Sequence, residues 1–323
     1  MSEHFIKNIE IKNFKCFENF KAEGFGRVNL IGGKNNVGKT AFMEAVYVNV
    51  YSKNINTLFT AIYSISYRRD NLEPICENCT DNKFYRKLFE NIKSYFSISN
   101  INISNFNILN KDGKKEYHFD INNKKNIINT NDFSYQDEHI ANIEYIDNFG
   151  FSNNNLKEMY IQVQRVDKEN ILNHYINEFD NTIEKFKIFD NSPECKLINS
   201  NEYRKINEFG DGLKHYISII CSLYACENGY LFIDEIDNGI HYTQLDRLWE
   251  IILTISKQQN VQVFATTHSK ECIEAYMRVA KKLEDKDITY SVLTKLRNGE
   301  LLHSLYDYEL LETAIVEQEH EVR

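Results

Sequence analysis

The chain has 323 residues, with 38 Lys and Arg against 47 Asp and Glu, a formal net charge of −9. That balance excludes a general polyanion binder held by an overall positive field and leaves nucleic acid only local basic patches. An apolar content of 42%, with only two prolines and twelve glycines, excludes wholesale disorder and suits one large domain or two modest ones.

Residues 4–11 alternate apolar and polar, which predicts a half-exposed strand. This charged N-terminus lacks the apolar stretch of a secretory signal, and no apolar run anywhere approaches the roughly 18 residues of a membrane span. With seven scattered cysteines, reduced thiols and a cytoplasmic setting are expected. Val28–Ile31 reads as a short strand running into a glycine turn, and apolar spacing from Thr40 to Tyr51 predicts a helix. Residues 52–200 are less regular. Phe96–Ile108 is patchily strand-like, and Asp112-Gly113 followed by alternating Tyr117, Phe119 and Ile121 predicts a hairpin. Glu144–Ile146 reads as another strand. Leu156–Phe189 reads as helical, without the heptads that long coiled-coil arms need. A glycine turn and apolar helix cover 208–228, and Tyr230–Ile233 is a buried strand. A helix follows at Thr243–Ser256, a strand at Val261–Ala265, a helix at Lys270–Leu283, a hairpin around Asn298-Gly299, and an amphipathic helix at Glu309–Glu319. Strand–helix alternation of this kind predicts an α/β fold whose parallel sheet is covered on both faces.

Three segments carry chemistry. Gly33-Lys34-Asn35-Asn36-Val37-Gly38-Lys39-Thr40-Ala41 contains G-x-x-x-x-G-K-[ST] between a strand and a helix. Glycines at its two fixed positions let backbone amides approach phosphate oxygens. Lys39 puts a point charge on the β- and γ-phosphates, and the Thr40 hydroxyl is a Mg²⁺ ligand at a positive helix N-terminus. Leu231-Phe232-Ile233-Asp234-Glu235 is a buried strand ending in two carboxylates. Asp234 suits Mg²⁺, and Glu235 is the candidate base for the attacking water. Thr266-Thr267-His268-Ser269 ends a further buried strand. A lone histidine at a strand end is usually structural, but its order and spacing after Asp234 and Glu235 point His268 toward a γ-phosphate.

On these three elements the chain resembles the ABC-type ATPase heads that include SMC-like and RecF-like proteins. It is most similar to the OLD (overcoming lysogenization defect) branch of small AAA-class ATPases. Ile11-Lys12-Asn13-Phe14-Lys15-Cys16-Phe17 is similar to that group's first-strand motif, which implies nucleotide contact by Lys15. Asn35 matches the family's asparagine near the γ-phosphate. Asn36 stands where most members have glycine, a mild departure because asparagine tolerates left-handed backbone. Phe209–Lys214 falls where the signature loop belongs, implying that Gly210, Asp211 and Gly212 cap the γ-phosphate of an opposite subunit. Gly210 replaces serine and Asp211 replaces glycine, and a carboxylate there is electrostatically awkward unless it turns away. Glu235–His241 resembles the segment after the catalytic glutamate, with Asp237 at the D-loop position, and Tyr306–Arg323 looks like the family's tail. For the Q-loop, Gln162 and Gln164 are the candidates.

The resemblance covers about residues 1–52 and 205–323. It implies a P-loop NTPase core of mixed, mainly parallel sheet made from those two segments, with residues 53–204 an inserted lobe of β-hairpin and helices. It further implies ATP and Mg²⁺ as ligands and a homodimer or higher oligomer closed around ATP. A separately encoded effector, a nuclease or toxin, in phage defence or DNA maintenance is implied too, and no membrane. An ATP-gated scaffold with little turnover, kept open by Asp211, and a RecF-like DNA-binding repair ATPase are the alternatives. The stretch after His268 is too short for a Toprim nuclease, so Glu284-Asp285-Lys286-Asp287 reads as a solvated helix end. Cys76-Glu77-Asn78-Cys79 has no second spaced pair for zinc, and Cys221 and Cys226 read as core. Of the basic clusters (Arg68-Arg69, Lys111 to Lys125, Lys281-Lys282), the predicted hairpin Lys111–Lys125 is the candidate DNA contact.

Overall fold

The chain opens on a hairpin, Asn8–Phe14 (β1) and Phe17–Glu23 (β2), antiparallel with Ile11 opposite Phe20. The computed structural model describes residues 4–51, 57–65 (except 59, 62 and 63), 103–129 (except 112, 113, 122 and 123; backbone only) and 140–316 (except 149, 201 and 298). The first strand thus begins four residues later than the alternation predicts. The sequence periodicity misses β2 because its buried positions, Phe17, Phe20 and Ala22, break the two-residue period of a flat strand. Val28–Gly32 (β3) and Lys39–Tyr51 (α1) flank the glycine loop as predicted.

Ile103–Lys111 (β4), Lys114–Ile121 (β5) and Lys124–Asn129 (β6) form an antiparallel three-stranded sheet, with Lys111 opposite Lys114. Asp112-Gly113 falls between those partners but outside the described residues, as do Arg68-Arg69, Cys76 and Cys79, Asn298, and residues 317–323 of the predicted last helix. The register puts Lys111, Lys114 and Lys115 at one end of β5 and Lys124 and Lys125 at the other. They do not form one continuous basic ribbon.

Ile143–Ile146 (β7) returns to the core and pairs in parallel with Tyr230–Ile233 (β11). Between them lie helices Asn153–Arg165 (α2) and Glu169–Phe179 (α3), the small sheet of Ile183–Phe189 (β8), Ser192–Leu197 (β9) and Tyr203–Lys205 (β10), and helix Asp211–Ala225 (α4). The helix predicted through Phe189 therefore stops at Phe179. There the Asp180 carboxylate accepts the Thr182 N–H at 2.9 Å, an Asx turn that reverses the chain into β8. Leu156, Val163, Leu172, Ile183 and Phe186 pack in one core with α4. From β7 onward, residues of the predicted 53–204 lobe share their core with α4 and the central sheet.

The remaining described elements are Leu245–Gln258 (α5), Gln262–Thr266 (β12), Lys270–Lys282 (α6), Ile288–Lys295 (β13), Leu301–Asp307 (β14) and Tyr308–Val316 (α7). The central sheet runs β14-β13-β3-β12-β11-β7, parallel except for the edge strand β14. Side chains alternate across it. Leu231, Ile233, Val263 and Ala265 join the core shared with α4, α5 and α6, whereas Phe232, Phe264 and Ile31 join the core under α1 and the opening hairpin. On that second face Tyr145, Phe232 and Phe264 stand opposite one another in register and stack at 6.1 and 5.6 Å.

Asp285 corrects the reading of its segment as solvated. It is buried and pairs with the buried Arg27 guanidinium, which also bonds Ser256 and the Leu253 carbonyl. Cys195, Cys221, Cys226 and Cys272 are buried thiols, Cys221 and Cys226 in the core as expected. No described helix is long and apolar enough to cross a membrane.

Candidate functional site

Adjacent parallel strands β3, β12 and β11 end on the same edge of the sheet, where ligands of open α/β folds bind. The loop leaving β3 turns on Gly33 (φ 132°), Asn36 (φ 60°) and Gly38 (φ 107°). A Cβ on Gly33 would stand 2.5 Å from the Leu293 carbonyl oxygen, so this position requires glycine for space as well as for backbone. Lys34, Asn35 and Asn36 are exposed on the loop, while Val37 and Ala41 turn into the core beneath it.

Lys39, only 6% exposed, folds back over the loop. Its Nζ donates to the carbonyls of Gly33 (2.8 Å) and Lys34 (3.1 Å) and to His268 Nδ1 (3.0 Å). An ammonium only donates, so His268 Nδ1 is the acceptor and the imidazole proton lies on Nε2. Nε2 is 3.6 Å from Glu235 Oε1. Burial pulls the Lys39 pKa down to about 8, with the Asp234 and Glu235 charges opposing.

Asp234, at the end of β11, accepts the Thr40 hydroxyl at 3.1 Å and the Thr266 hydroxyl at 2.6 Å. Burial raises its pKa, the two hydroxyls oppose, and nearby Glu235 and Glu44 add to the rise. Asp234 makes no ion pair among the described residues. Its carboxylate beside the Thr40 hydroxyl is a pair of hard oxygen donors at the start of α1, and that set fits Mg²⁺, with further positions for water and phosphate oxygens. Glu235 follows with φ of 51°, its N–H donating to Thr266 Oγ1 at 2.8 Å. Asp237 accepts the Thr267 hydroxyl at 2.7 Å; burial raises its pKa against that bond.

Lys39, Thr40, Asp234, Glu235 and His268 thus form one connected cluster. A cleft of about 700 Å³ opens beside it, lined by Gly33, Lys34, Asn35, Thr267, His268, Ile273 and Tyr290. Other predicted site residues stand apart from these contacts. Lys15 forms an ion pair with the buried Glu44 and lies over the Phe14 ring at 5.2 Å. Gly210 (φ 87°) and exposed Asp211 open α4, and Gly212 packs against Gly239 just beyond Asp237. Gln162 and Gln164 are engaged locally on α2, with Arg165 and Glu169. The loop that lies next to Asp234 instead follows β7: the Ile146 carbonyl accepts the Asp234 N–H, and the Asn148 carbonyl accepts the Asn238 amide. Sequence reasoning assigned no role to Thr266 or Glu44. Glu44 had a signal, since four residues after Thr40 it shares that helix face.

The family model for the AAA ATPase domain matches residues 5–70 and 47–273. The protein named ATP/GTP phosphatase in Helicobacter pylori is 28% identical over 346 aligned residues, covering 90% of this chain and 91% of its own. An uncharacterised protein of Methanocaldococcus jannaschii is 33% identical over 101 residues, 31% of this chain and 86% of its own. Among solved structures, an SMC head bound to the C-winged helix domain of ScpA gives a TM-score of 0.53 at 12% identity, covering 94% of this chain and 99% of that one. A Pyrococcus furiosus Smc head with an extended coiled coil, bound to the C-terminal domain of ScpA, gives 0.50 at 11% identity, covering 98% and 100%. Those two likenesses speak to the fold alone, the α/β architecture of an SMC head domain. Kinship is decided by the family model, which runs from the first strand through β12 to the start of α6: the chain belongs to the AAA ATPase domain family.

Proposed function

We propose that Gly33–Thr40 cradles the phosphates of Mg·ATP and that Glu235 polarises the water attacking the γ-phosphorus. The observation that supports this is the contact chain from Lys39 through His268 to Glu235, with an ammonium and a carboxylate on either side of one imidazole. On nucleotide binding, Lys39 exchanges its loop carbonyls for phosphate oxygens. Thr40 and Asp234 would hold Mg²⁺, which when bound neutralises charge on the β- and γ-phosphates. Glu235 accepts a proton from the attacking water, and His268, which contacts both Lys39 and Glu235, would donate its Nε2–H to the γ-phosphate. The products are ADP and phosphate, and catalysis is positioning and electrostatics more than covalent chemistry. The name of the Helicobacter relative supports nucleoside triphosphate hydrolysis and leaves the choice of base between adenine and guanine to assay.

The same reading extends to an ATP-closed homodimer of OLD type that gates a separately encoded effector in phage defence or DNA maintenance in the cytoplasm. The partner-bound heads among the fold neighbours support a partner in general. Exposed Asp211 at the head of α4 favours the second reading, an ATP-gated scaffold with little turnover. Lysines divided between the two ends of β5 weaken a DNA-tracking ribbon. Glu235→Gln tests the main reading. It should bind ATP like the unmodified chain, lose about 10²- to 10⁴-fold in turnover, and accumulate as a dimer with ATP in light scattering. Unchanged turnover would remove Glu235 as the base.

A further inference from the structure

The last residue of β12 and the two that follow it each meet a different carboxylate of the facing Asp234–Asp237 turn. Thr266 bonds Asp234, Thr267 bonds Asp237, and His268 faces Glu235. We infer that Thr266 is a positioning residue for hydrolysis, its hydroxyl fixing both the metal-holding carboxylate and the backbone of the base in one geometry. This rests on the proposed roles of Asp234 and Glu235.

Thr266 is 1% exposed and its hydroxyl has no alternative use. The Glu235 N–H can only donate, so it occupies an Oγ1 lone pair at 2.8 Å, and the single Oγ1 proton goes to Asp234 Oδ1 at 2.6 Å. The Thr266 carbonyl accepts the Ile236 N–H at 3.0 Å. One residue therefore bonds three successive members of the turn. Glu235 needs the brace, because its φ of 51° is a left-handed conformation that residues other than glycine resist. Asp234 needs it for a different reason. Thr40 lies nearer Oδ2 (3.1 Å) than Oδ1 (3.3 Å), so a metal that takes the Thr40 hydroxyl removes one of the two groups fixing the carboxylate's rotation. Thr266 is the group that remains, holding Oδ1 so that Oδ2 stays turned toward Thr40. Outer partners of this kind set metal affinity without touching the metal.

The test compares Thr266→Val, which keeps the shape and removes the hydroxyl, with Thr266→Ser, which keeps the hydroxyl. A fluorescent ATP analogue is titrated into each protein in EDTA and then in Mg²⁺, and turnover is followed against Mg²⁺ concentration. Thr266→Val should match the unmodified chain in EDTA and need about 10- to 100-fold more Mg²⁺ for half-maximal effect. Its kcat should fall while KM for ATP moves little, and Thr266→Ser should restore both. If Thr266→Val melts non-cooperatively, Thr266→Cys, similar in volume and a weak donor, carries the same expectation. Unchanged metal dependence in Thr266→Val, or a Thr266→Ser protein as impaired as Thr266→Val, overturns the inference. Asp234→Asn and Glu235→Gln run alongside. If those two are also silent, the reading of the site has failed; if they are impaired and Thr266→Val is not, only the brace has.

Discussion

Nucleotide binding should carry a proton with it, and Lys39 sets how much. In the nucleotide-free chain its ammonium is held by two carbonyls and a neutral imidazole nitrogen, and burial brings its pKa to about 8 despite Asp234 and Glu235 nearby. A triphosphate seated on the loop adds negative charge beside the ammonium and lifts that value again. A group whose pKa is raised by binding takes up a proton on binding, so affinity is full below about 8 and falls as pH rises through it. The deprotonated fraction to be filled is about 0.1 at pH 7, about 0.5 at pH 8 and about 0.9 at pH 9. Calorimetric titration with Mg·ATP in buffers of different ionisation enthalpy reads this number as a slope. At pH 8 and above the phosphates of Mg·ATP are fully ionised and add nothing. Lys39→Arg retains a cation that keeps its proton throughout and should bring the slope to zero. A slope near zero for the unmodified chain at pH 8, or an uptake that survives in Lys39→Arg, refutes the reasoning.

Asp285→Asn leaves the buried Arg27 guanidinium without its counter-charge and should cost about 3–5 kcal/mol in a denaturant titration; Arg27→Met combined with Asp285→Leu should recover most of it. Gly212→Ala places a Cβ 1.9 Å from the Gly239 carbonyl oxygen. Prising α4 from the Asp237 turn in this way should cost about 1–3 kcal/mol, seen as a lower Tm, and reduce turnover. Burial lowers the His215 pKa to about 4 from its ordinary 6.5, so the stability it contributes is full above pH 6.5 and is lost as pH falls toward 4. His215→Leu should therefore lose less stability than the unmodified chain between those values in melts followed by circular dichroism, with the remaining slope including His303, which shifts the same way.

What could be read from the sequence was what contiguous residues determine. Gly33–Thr40 carries its glycines, lysine and hydroxyl within eight positions, so motif and flanking elements announce one another. Buried parallel strands such as Tyr230–Ile233 and Gln262–Thr266 are carried by short apolar runs, Tyr230–Ile233 and Val263–Ala265, visible because both faces are covered. Determinants that depend on distant partners were silent. Asp285 looks solvated among Glu284, Lys286 and Asp287 until Arg27, 258 residues away in sequence, is brought to it. Likewise β8 shares its helix-like spacing of Ile183 and Phe186 with the preceding α3, and only the Asp180 turn and the pairing to β9 decide against a helix. Thr266 was invisible as a brace because its two partners belong to another strand's end.

That last case shows how the site acquires its geometry. Asp234 lies two residues past Phe232, and Thr266 lies two residues past Phe264. Phe232 and Phe264 are direct partners in the β11–β12 register, and their rings stack 10° from parallel. A slip of one residue in either strand would turn that strand's ring to the opposite face of the sheet, where aliphatic side chains pack, and would break the Thr266–Asp234 bond. The apolar register under α1 and the hydroxyl–carboxylate contact at the strand ends are therefore one constraint expressed twice. β3 extends it, because Ile31, opposite Thr266, fixes where the phosphate loop begins. Residues separated by some 190 to 230 positions, Thr40 from Asp234 and Lys39 from His268, meet within hydrogen-bonding distance because three strand registers permit only one alignment.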